Sequence, residues 1–214
     1  MFFYTALFFA NCELYIVDQM KIPTNYTMTG ETLLFDQSIL DRIDYSKSTV
    51  EPRDKLTEAR QRDDIRIRPL AEGDYSKGFP NILSQLTVVG DVSEEDFLKR
   101  FHRMKSCVDS YFIVVIEDTV KNKVIGSGTL AVEHKLNSKL QLISQGRIED
   151  IVVDKTCRGM QLGKLILETL TMLAKEICCT VCSLECKDSL VRFYSQFGLE
   201  PVKDERYMTI RYFK

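Results

Sequence analysis

The sequence has no large excess of charge of either sign, with 29 lysine and arginine residues against 31 aspartate and glutamate residues in 214. Proteins that bind nucleic acid normally carry a concentrated basic face. This near-neutral balance gives no such indication, so we expect no nucleic-acid partner. With 44% hydrophobic residues the composition is that of a globular protein, and the length favours one domain with room for a short extension.

The chain also lacks a disulfide framework and a metal-ligand pattern. Its seven cysteines are odd in number, and most of them lie late in the chain. A framework needs an even, spaced set, so we expect free thiols in a reducing, cytosolic setting. Cys179-x-x-Cys182 is a single pair without a second pair or a nearby histidine. His102 and His134 are too far apart in the chain to indicate ligands, so we predict no metal site.

The first residues contain no hydrophobic run of membrane length. Residues 1–10 are apolar, but no basic residue precedes them and Glu13 and Asp18 soon follow, unlike a secretory signal. About 20 apolar residues are needed to span a bilayer. We therefore expect an extra strand, a weakly ordered extension or an artefact of the assigned start, and no transmembrane segment.

Charge and apolar spacing divide the chain into three parts. We predict an extension of unknown role at residues 1–30, an arm and linker at residues 31–64, and a domain at residues 65–214. The linker is inferred from residues 46–64, which are charged and poor in large apolar side chains.

One stretch organises the domain. Ile151-Val152-Val153 is typical of a buried strand, whereas apolar residues from Leu162 to Ile177 recur at helical spacing. The period changes at Arg158-Gly159, so a turn delivers unpaired amides to the start of a helix, where they and the helix dipole attract phosphate. Arg158 and Lys164 add positive charge. The spacing matches neither the P-loop nor the dinucleotide fingerprint.

Strands and helices alternate around this stretch. Asp74 is predicted to cap a helix carrying Phe79 and Ile82, and Ser93 a second helix carrying Phe97. A long connection is expected at residues 135–145. The remaining strands are predicted at residues 65–70, 111–117, 124–134, 180–185 and 206–213, with a helix at 190–197 that Gly198 ends. The order β-α-α-β-β-β-α-β-α-β indicates a mixed α/β sheet with helices on both faces.

Arg158-x-x-Gln161-x-Gly163 after an acidic strand resembles the pyrophosphate loop of the GCN5-related N-acetyltransferases (GNAT), although that pattern has glycine where this chain has Gln161. From Glu31 to Lys214 the chain is similar to the glucosamine 6-phosphate N-acetyltransferase family, which uses glutamine there. The short matches are Phe35-Asp36-x-Ser38-x-Leu40, Leu70, Gln85-Leu86-Thr87-x-x-Gly90, Val132 to Lys135, Gly146 to Val153, Cys157-Arg158-Gly159-x-Gln161-Leu162-Gly163-Lys164-Leu165, Leu184-Glu185-Cys186, Phe193-Tyr194-x-x-Phe197-Gly198, and Tyr207-Met208 with Arg211.

The resemblance implies the GNAT fold and acetyl-CoA as co-substrate. It implies direct transfer of acetyl to the amine of D-glucosamine 6-phosphate in a ternary complex, giving N-acetyl-D-glucosamine 6-phosphate on the route to UDP-N-acetylglucosamine. It also implies a cytoplasmic homodimer that exchanges its last strand, and it leaves open peripheral association with internal membranes.

The family also implies roles for individual residues. Tyr194 would act as general acid near the sulfur, since a phenol with a pKa near ten suits protonation of a thiolate. The other implied catalytic residues are Glu149, Asp150 and Glu185, of which Glu185 would accept a proton through water. The implied cofactor-binding residues are Glu149, Asp150, Ile151, Val152, Val153, Arg158, Gly159, Met160, Gln161, Leu162, Gly163, Lys164 and Tyr194. The implied substrate-binding residues are Thr87, Lys135, Glu149, Asp150, Glu205 and Arg211, with Lys135 and Arg211 on the phosphate.

Strand geometry limits one of these roles. Successive side chains of a regular strand point to opposite faces, so at most one of Glu149 and Asp150 is expected to face a given site. Taken alone, these residues would be a solvated strand end, and Lys135 and Arg211 ordinary surface charges.

The chain departs from the family in three places. Leu190 replaces an asparagine, Thr180-Val181 replaces a Tyr-Lys pair that reaches the partner subunit, and the loop at residues 135–146 is longer. These changes keep two alternatives open: an acetyltransferase for another amine, such as a protein or a polyamine, and a non-catalytic protein that binds acetyl-CoA.

Overall fold

A computed structural model describes residues 30–48, 50–86, 90–203, 208 and 210. Within them five strands form one sheet in the order β1-β2-β3-β4-β5. Neighbours from β1 to β4 are antiparallel, and β4 and β5 are parallel. This confirms the predicted mixed sheet, while the strand predicted at 206–213 lies outside the described residues. The strands are β1 Ile65–Pro69, β2 Tyr111–Asp118, β3 Lys123–Leu136, β4 Leu142–Val153 and β5 Cys179–Ser183.

Six α-helices and four short 3-10 helices are described with these strands. As predicted, Ser93 caps the helix that begins at Glu94, because its side chain accepts a hydrogen bond from the Asp96 amide at 3.1 Å. None of the described helices is both long and apolar enough to cross a membrane. The helices are α1 Gln37–Asp41, α2 Arg53–Arg60, α3 Phe79–Leu83, α4 Glu94–Ser106, α5 Leu162–Glu176 and α6 Val191–Ser195.

The helices cover both faces of the sheet. On one face α5 crosses β3 closely, and an added Cβ at Gly128 would lie 2.5 Å from Ile166 Cγ2 and 2.8 Å from Leu170 Cδ1. Only glycine allows this approach. On the other face Phe79 of α3 and Phe101 of α4 belong to a second buried cluster. The core is thus two layers that share the sheet.

The cap predicted at Asp74 is wrong. Asp74 is fully buried and accepts hydrogen bonds at 2.7 and 2.6 Å from the guanidinium of Arg68, and at 2.8 Å from the Ala71 amide. The residue before α3 is Gly78, which makes no side-chain cap. Arg68 points into the core from β1, and a buried guanidinium needs carboxylate partners.

Residues 46–64 differ from the expected linker. They contain α2, whose Leu56 and Ala59 are 1% and 5% exposed and belong to the same core as α5. Arg60 Nη2 lies 2.6 Å from Glu168 Oε2, and Ser48 Oγ lies 2.5 Å from Glu168 Oε1. Composition missed this packing because most residues of α2 are charged and face water. The boundaries drawn at residues 30 and 64 stay predictions.

The connection expected at 135–145 is a tight turn instead. β3 continues to Leu136 and β4 begins at Leu142. The Asn137 side chain holds the turn, accepting hydrogen bonds from the amides of Lys139 at 2.8 Å and Gln141 at 3.0 Å. Asparagine commonly closes a turn in this way. The two strands therefore form a longer hairpin than their apolar pattern indicated.

Candidate functional site

β4 and β5 pair over only part of their length. Their register runs from Ser144 opposite Cys179 to Arg147 opposite Ser183, whereas β4 continues to Val153. Past Arg147, no described strand pairs with β4 on this side. Strand edges carry backbone groups that must find partners, and an extended ligand can supply them. This opening can receive such a ligand.

A β-bulge lies in the open part of β4. Ser127 of β3 is opposite Val152, but Thr129 is opposite Glu149, so β4 holds one extra residue there. At the bulge the backbone of Asp150 adopts a left-handed conformation, with φ of 53°. The expected alternation of Glu149 and Asp150 between opposite faces is therefore interrupted. Both side chains are exposed at the opening.

The loop before α5 turns its backbone toward the same opening. Gly159 and Gln161 have φ of 86° and 61°. The left-handed conformation at Gln161 explains why glycine is common at this position of the pattern. The first hydrogen bond along α5 runs from the Leu165 amide to the Gln161 carbonyl at 3.0 Å. The amides of the three preceding residues have no intrahelical acceptor, which makes a site for phosphate.

Most of the predicted cofactor residues of this loop line one cavity of about 280 Å³, to which α6 contributes Phe193. Met160 instead packs against the α5 core. Lys164 lines the cavity but donates hydrogen bonds to two protein oxygens. The other lining residues are Val153, Cys157, Arg158, Gly159, Gln161, Leu162 and Gly163.

Asp154 anchors this loop and was not predicted as a site residue. Its carboxylate accepts hydrogen bonds from the Thr156 amide at 2.9 Å and the Thr156 hydroxyl at 2.7 Å. It also lies 3.1 Å from Lys123 Nζ. The bonds from Thr156, with the charge of Lys123, hold the pKa of Asp154 well below its usual range. The Asp-x-Thr spacing, which is typical of a capping turn, could have indicated it.

Tyr194 lies on α6, which ends at Ser195, two residues before the predicted helix end at residue 197, and Gly198 has φ of 78°. Its half-buried ring contacts Phe193 with ring centroids 5.2 Å apart. The Tyr194 hydroxyl makes no hydrogen bond to another described residue. Burial raises its pKa, and a nearby Cys186 thiolate would add to the shift. The phenol is therefore protonated at neutral pH and available as a donor.

Arg147 joins two of the predicted carboxylates. Its Nε lies 2.7 Å from Glu149 Oε1, and its Nη2 forms an ion pair with Glu185. The sequence predicts Glu185 at the end of β5, but β5 ends at Ser183 and Glu185 lies two residues further along the chain. One guanidinium therefore holds both carboxylates, Glu149 on β4 and Glu185 beyond β5. Sequence reasoning gave Arg147 no role, because the pairing follows from where β4 and β5 separate.

Lys135 lies in a second cavity, of about 460 Å³, which Arg147 also lines. Lys135 Nζ lies 3.1 Å from Gln145 Oε1 and 2.8 Å from Glu133 Oε2. Lys135 and Arg147 thus line one cavity beside the opening of the sheet, together with the Glu133 carboxylate. Of the other predicted substrate residues, three lie outside the described residues: Thr87, Glu205 and Arg211.

The thiols of Cys179 and Cys182 on β5 are protonated at neutral pH. Burial raises the pKa of Cys179 and of Cys182 to about 11. In the part of the chain that the structure describes, no group of three or more histidine, cysteine, aspartate or glutamate residues could hold a metal ion.

The opening in the sheet beside a helix start with free amides agrees with the comparison with known families. The model of the acetyltransferase (GNAT) family matches residues 79–199, more than half of the chain. The chain therefore belongs to the GNAT family, whose co-substrate is acetyl-CoA, and the predicted fold is confirmed.

Individual relatives indicate which group within the GNAT family this chain is similar to. A curated Drosophila melanogaster protein, "Probable glucosamine 6-phosphate N-acetyltransferase", is 42% identical over 187 residues, which cover 86% of this chain and 84% of the relative. The Arabidopsis thaliana glucosamine 6-phosphate N-acetyltransferase is 37% identical over 135 residues, covering 63% of this chain and 89% of the relative. The crystal structure of the Arabidopsis thaliana enzyme aligns with a TM-score of 0.63 at 35% identity, covering 70% of this chain and 99% of that one.

Proposed function

We propose that the protein transfers the acetyl group of acetyl-CoA to the amine of D-glucosamine 6-phosphate, giving N-acetyl-D-glucosamine 6-phosphate. One structural observation carries the proposal. β4 separates from β5 after Arg147, beside the unpaired amides at the start of α5. The 42% identity to the Drosophila relative supports the choice of acceptor.

The residues at this opening fit a diphosphate-bearing thioester. Among the described residues other than its chain neighbours, none has an atom within 4 Å of the Cβ position of Gly159, so a phosphate can approach the backbone there. The amides up to Lys164 and the exposed Arg158 would hold the diphosphate. The backbone of residues 149–153 would pair with the extended pantetheine arm. When bound, acetyl-CoA supplies an activated acetyl group, and no metal ion is required.

Side chains at the opening supply the proton chemistry. Tyr194 donates a proton to the leaving sulfur, since its raised pKa keeps the phenol protonated at neutral pH. Glu149 and Asp150 orient the sugar and its amine for direct attack, which needs no covalent nucleophile. Arg147 holds Glu185 beside Glu149. That contact favours an orienting role for Glu185 over a role as base.

Cations bind the anionic end of the acceptor. We propose that Lys135 and Arg211 hold the sugar phosphate, with help from the Thr87 hydroxyl, and that Glu205 contacts the sugar. Lys135 shares the 460 Å³ cavity with Arg147, which supports a site for an anion beside the opening.

We also propose a cytoplasmic homodimer that serves UDP-N-acetylglucosamine synthesis. β5 is the edge strand of the described sheet, and an edge strand can accept a strand from another chain. This supports exchange of the segment from residue 207 to 213. Light scattering coupled to gel filtration tests the dimer.

Thiol release from acetyl-CoA tests the reaction. Purified protein is supplied with glucosamine 6-phosphate, glucosamine, polyamines and lysine peptides in turn. We expect release that depends on the sugar phosphate, and glucosamine without the phosphate should be a much poorer acceptor. Release with a polyamine or peptide alone, or binding of acetyl-CoA without release, would contradict the proposal.

A further inference from the structure

Lys164 contacts two segments that are distant in the sequence. Its Nζ donates hydrogen bonds to the Glu51 carbonyl at 2.9 Å and to Gln196 Oε1 at 2.7 Å. Glu51 lies just before α2, and Gln196 directly follows α6. One ammonium group thus joins the arm, the start of α5 and the end of α6.

The charge of Lys164 is unusual at this place. It is the third residue of α5, where the positive end of the helix dipole disfavours a cation. Both of its acceptors are neutral oxygens, and no described carboxylate forms an ion pair with it. An anion bound in the 280 Å³ cavity would explain why a cation lies here. It would not explain why Lys164 also donates hydrogen bonds to two protein oxygens.

The Gln196 side chain is oriented for this contact. Its Nε2 donates to the Arg192 carbonyl at 3.2 Å, which turns its Oε1 toward Lys164. Gln196 follows Tyr194 by two residues and Phe193 by three, and Phe193 lines the 280 Å³ cavity together with Lys164. α6 is one short helix with no fully buried residue, and Phe193 and Tyr194 pack only partly buried against the core. A tether at its end therefore has a strong influence on where Phe193 and Tyr194 lie.

We propose that Lys164 is a positioning residue that fixes α6 against α5 and so sets the place of Tyr194 relative to the donor site. The proposal rests on the proposed function for the role of Tyr194. It differs from the role expected from the sequence, in which Lys164 binds the diphosphate. The two roles predict different kinetics, because a displaced acid lowers kcat whereas a lost phosphate contact raises KM for the donor.

The kinetic test compares Lys164→Met with Gln196→Leu, which removes the same contact from the other side. Each variant is assayed with acetyl-CoA and with S-acetylpantetheine, which has no diphosphate. We expect kcat to fall about tenfold in both variants and with both donors, since small displacements of reacting groups are costly. The double variant should be no worse than Lys164→Met alone, and Lys164→Arg should recover part of the rate.

A binding role for Lys164 would give the opposite pattern and overturn the proposal. KM for acetyl-CoA would rise in Lys164→Met with kcat unchanged, the defect would vanish with S-acetylpantetheine, and Gln196→Leu would behave as wild type.

Hydrogen exchange of the ligand-free protein provides a readout independent of activity. We expect the amides of residues 191–198 to exchange faster in both variants and to return toward the wild-type rate in Lys164→Arg. Unchanged exchange of these amides in Gln196→Leu would contradict the tether. This test holds even if Lys164→Met does not fold. If the wild type acetylates no sugar phosphate, the proposed function fails, while hydrogen exchange still decides the tether.

Discussion

Two arginines in this protein each bind two carboxylates, one in the packed part of the sheet and one at its open part. Arg68 on β1 binds Asp74 at 2.7 and 2.6 Å and Glu117 at 2.8 Å, and its side chain is 4% exposed. Arg147 on β4 binds Glu149 at 2.7 Å and also Glu185, and its side chain is 45% exposed. Both arginines pair with two carboxylates, but the clusters differ in their access to water, and Glu117 also binds Lys77 at 2.9 Å.

Burial decides what each cluster does. Burial opposes the charge of Arg68, but the hydrogen bonds from Arg68 to Asp74 and Glu117 outweigh it and raise its pKa above the usual value. Removing Arg68 would leave Asp74 charged, buried and without its cation, whereas Glu117 would keep Lys77 at 2.9 Å. Around Arg147 water screens the charges, so the ion pairs add little to stability. We therefore expect the Arg147 cluster to affect activity more than stability.

Arg68→Met gives the largest expected effect on stability. We expect the free energy of unfolding to fall by about 3–5 kcal/mol, because the buried Asp74 loses its cation and Glu117 keeps only Lys77. Arg147→Met is the matched control and should lose less than about 1 kcal/mol. Urea unfolding followed by circular dichroism measures both losses. Equal losses would contradict the conclusion that the buried cluster contributes more to stability than the exposed one.

Tyr194→Phe tests the open part by activity instead. We expect kcat to fall about 100-fold, as for loss of a general acid, with stability changed by less than about 0.5 kcal/mol. Since burial raises the pKa of Tyr194, the acid form persists through neutral pH, and the alkaline fall in wild-type kcat should lie above pH 10. A variant with unchanged kcat would exclude Tyr194 as the acid.

Arg147→Gln should lower kcat/KM for the sugar phosphate about tenfold, because Glu149 and Glu185 lose the group that aligns them. KM for acetyl-CoA should change little. Arg147→Lys keeps the charge without the forked donor, so its kcat/KM should lie between those of the wild type and Arg147→Gln. If Arg147→Gln affected unfolding more than kcat/KM, the assignment of this cluster to function would be wrong.

Asp154→Asn gives the smallest expected effect, a loss of about 1 kcal/mol of stability at pH 7, as for a lost capping carboxylate. The folded pKa of Asp154 lies below its usual 3.8. Its contribution is therefore present above about pH 4 and is lost as the pH falls through the folded pKa. Unfolding curves at pH 7 and pH 3 should show a smaller difference between variant and wild type at pH 3. An equal difference at both pH values would contradict this origin.

The sequence predicts what depends on local periodicity. β1, β2 and α5 follow from alternating or helical spacing, and the phosphate loop follows from the turn at Arg158 and Gly159. The loop residues predicted around one ligand do lie around one cavity, with the exception of Met160.

What the sequence missed depends on tertiary register. The bulge at Asp150 exists because β3 and β4 are offset by one residue, which neither strand encodes alone. The ion pairs of Arg147 depend on where β5 leaves β4, and those of Arg68 on how far β1 turns its face into the core. α2 was missed because two buried residues among charged ones give a weak pattern.

Titration of the purified protein with coenzyme A in a calorimeter tests most directly whether the start of α5 holds a diphosphate. We predict one site per chain, with pantetheine binding at least tenfold more weakly because it lacks the groups that the free amides bind. Equal affinity for the two compounds, or no heat with coenzyme A, would contradict the account.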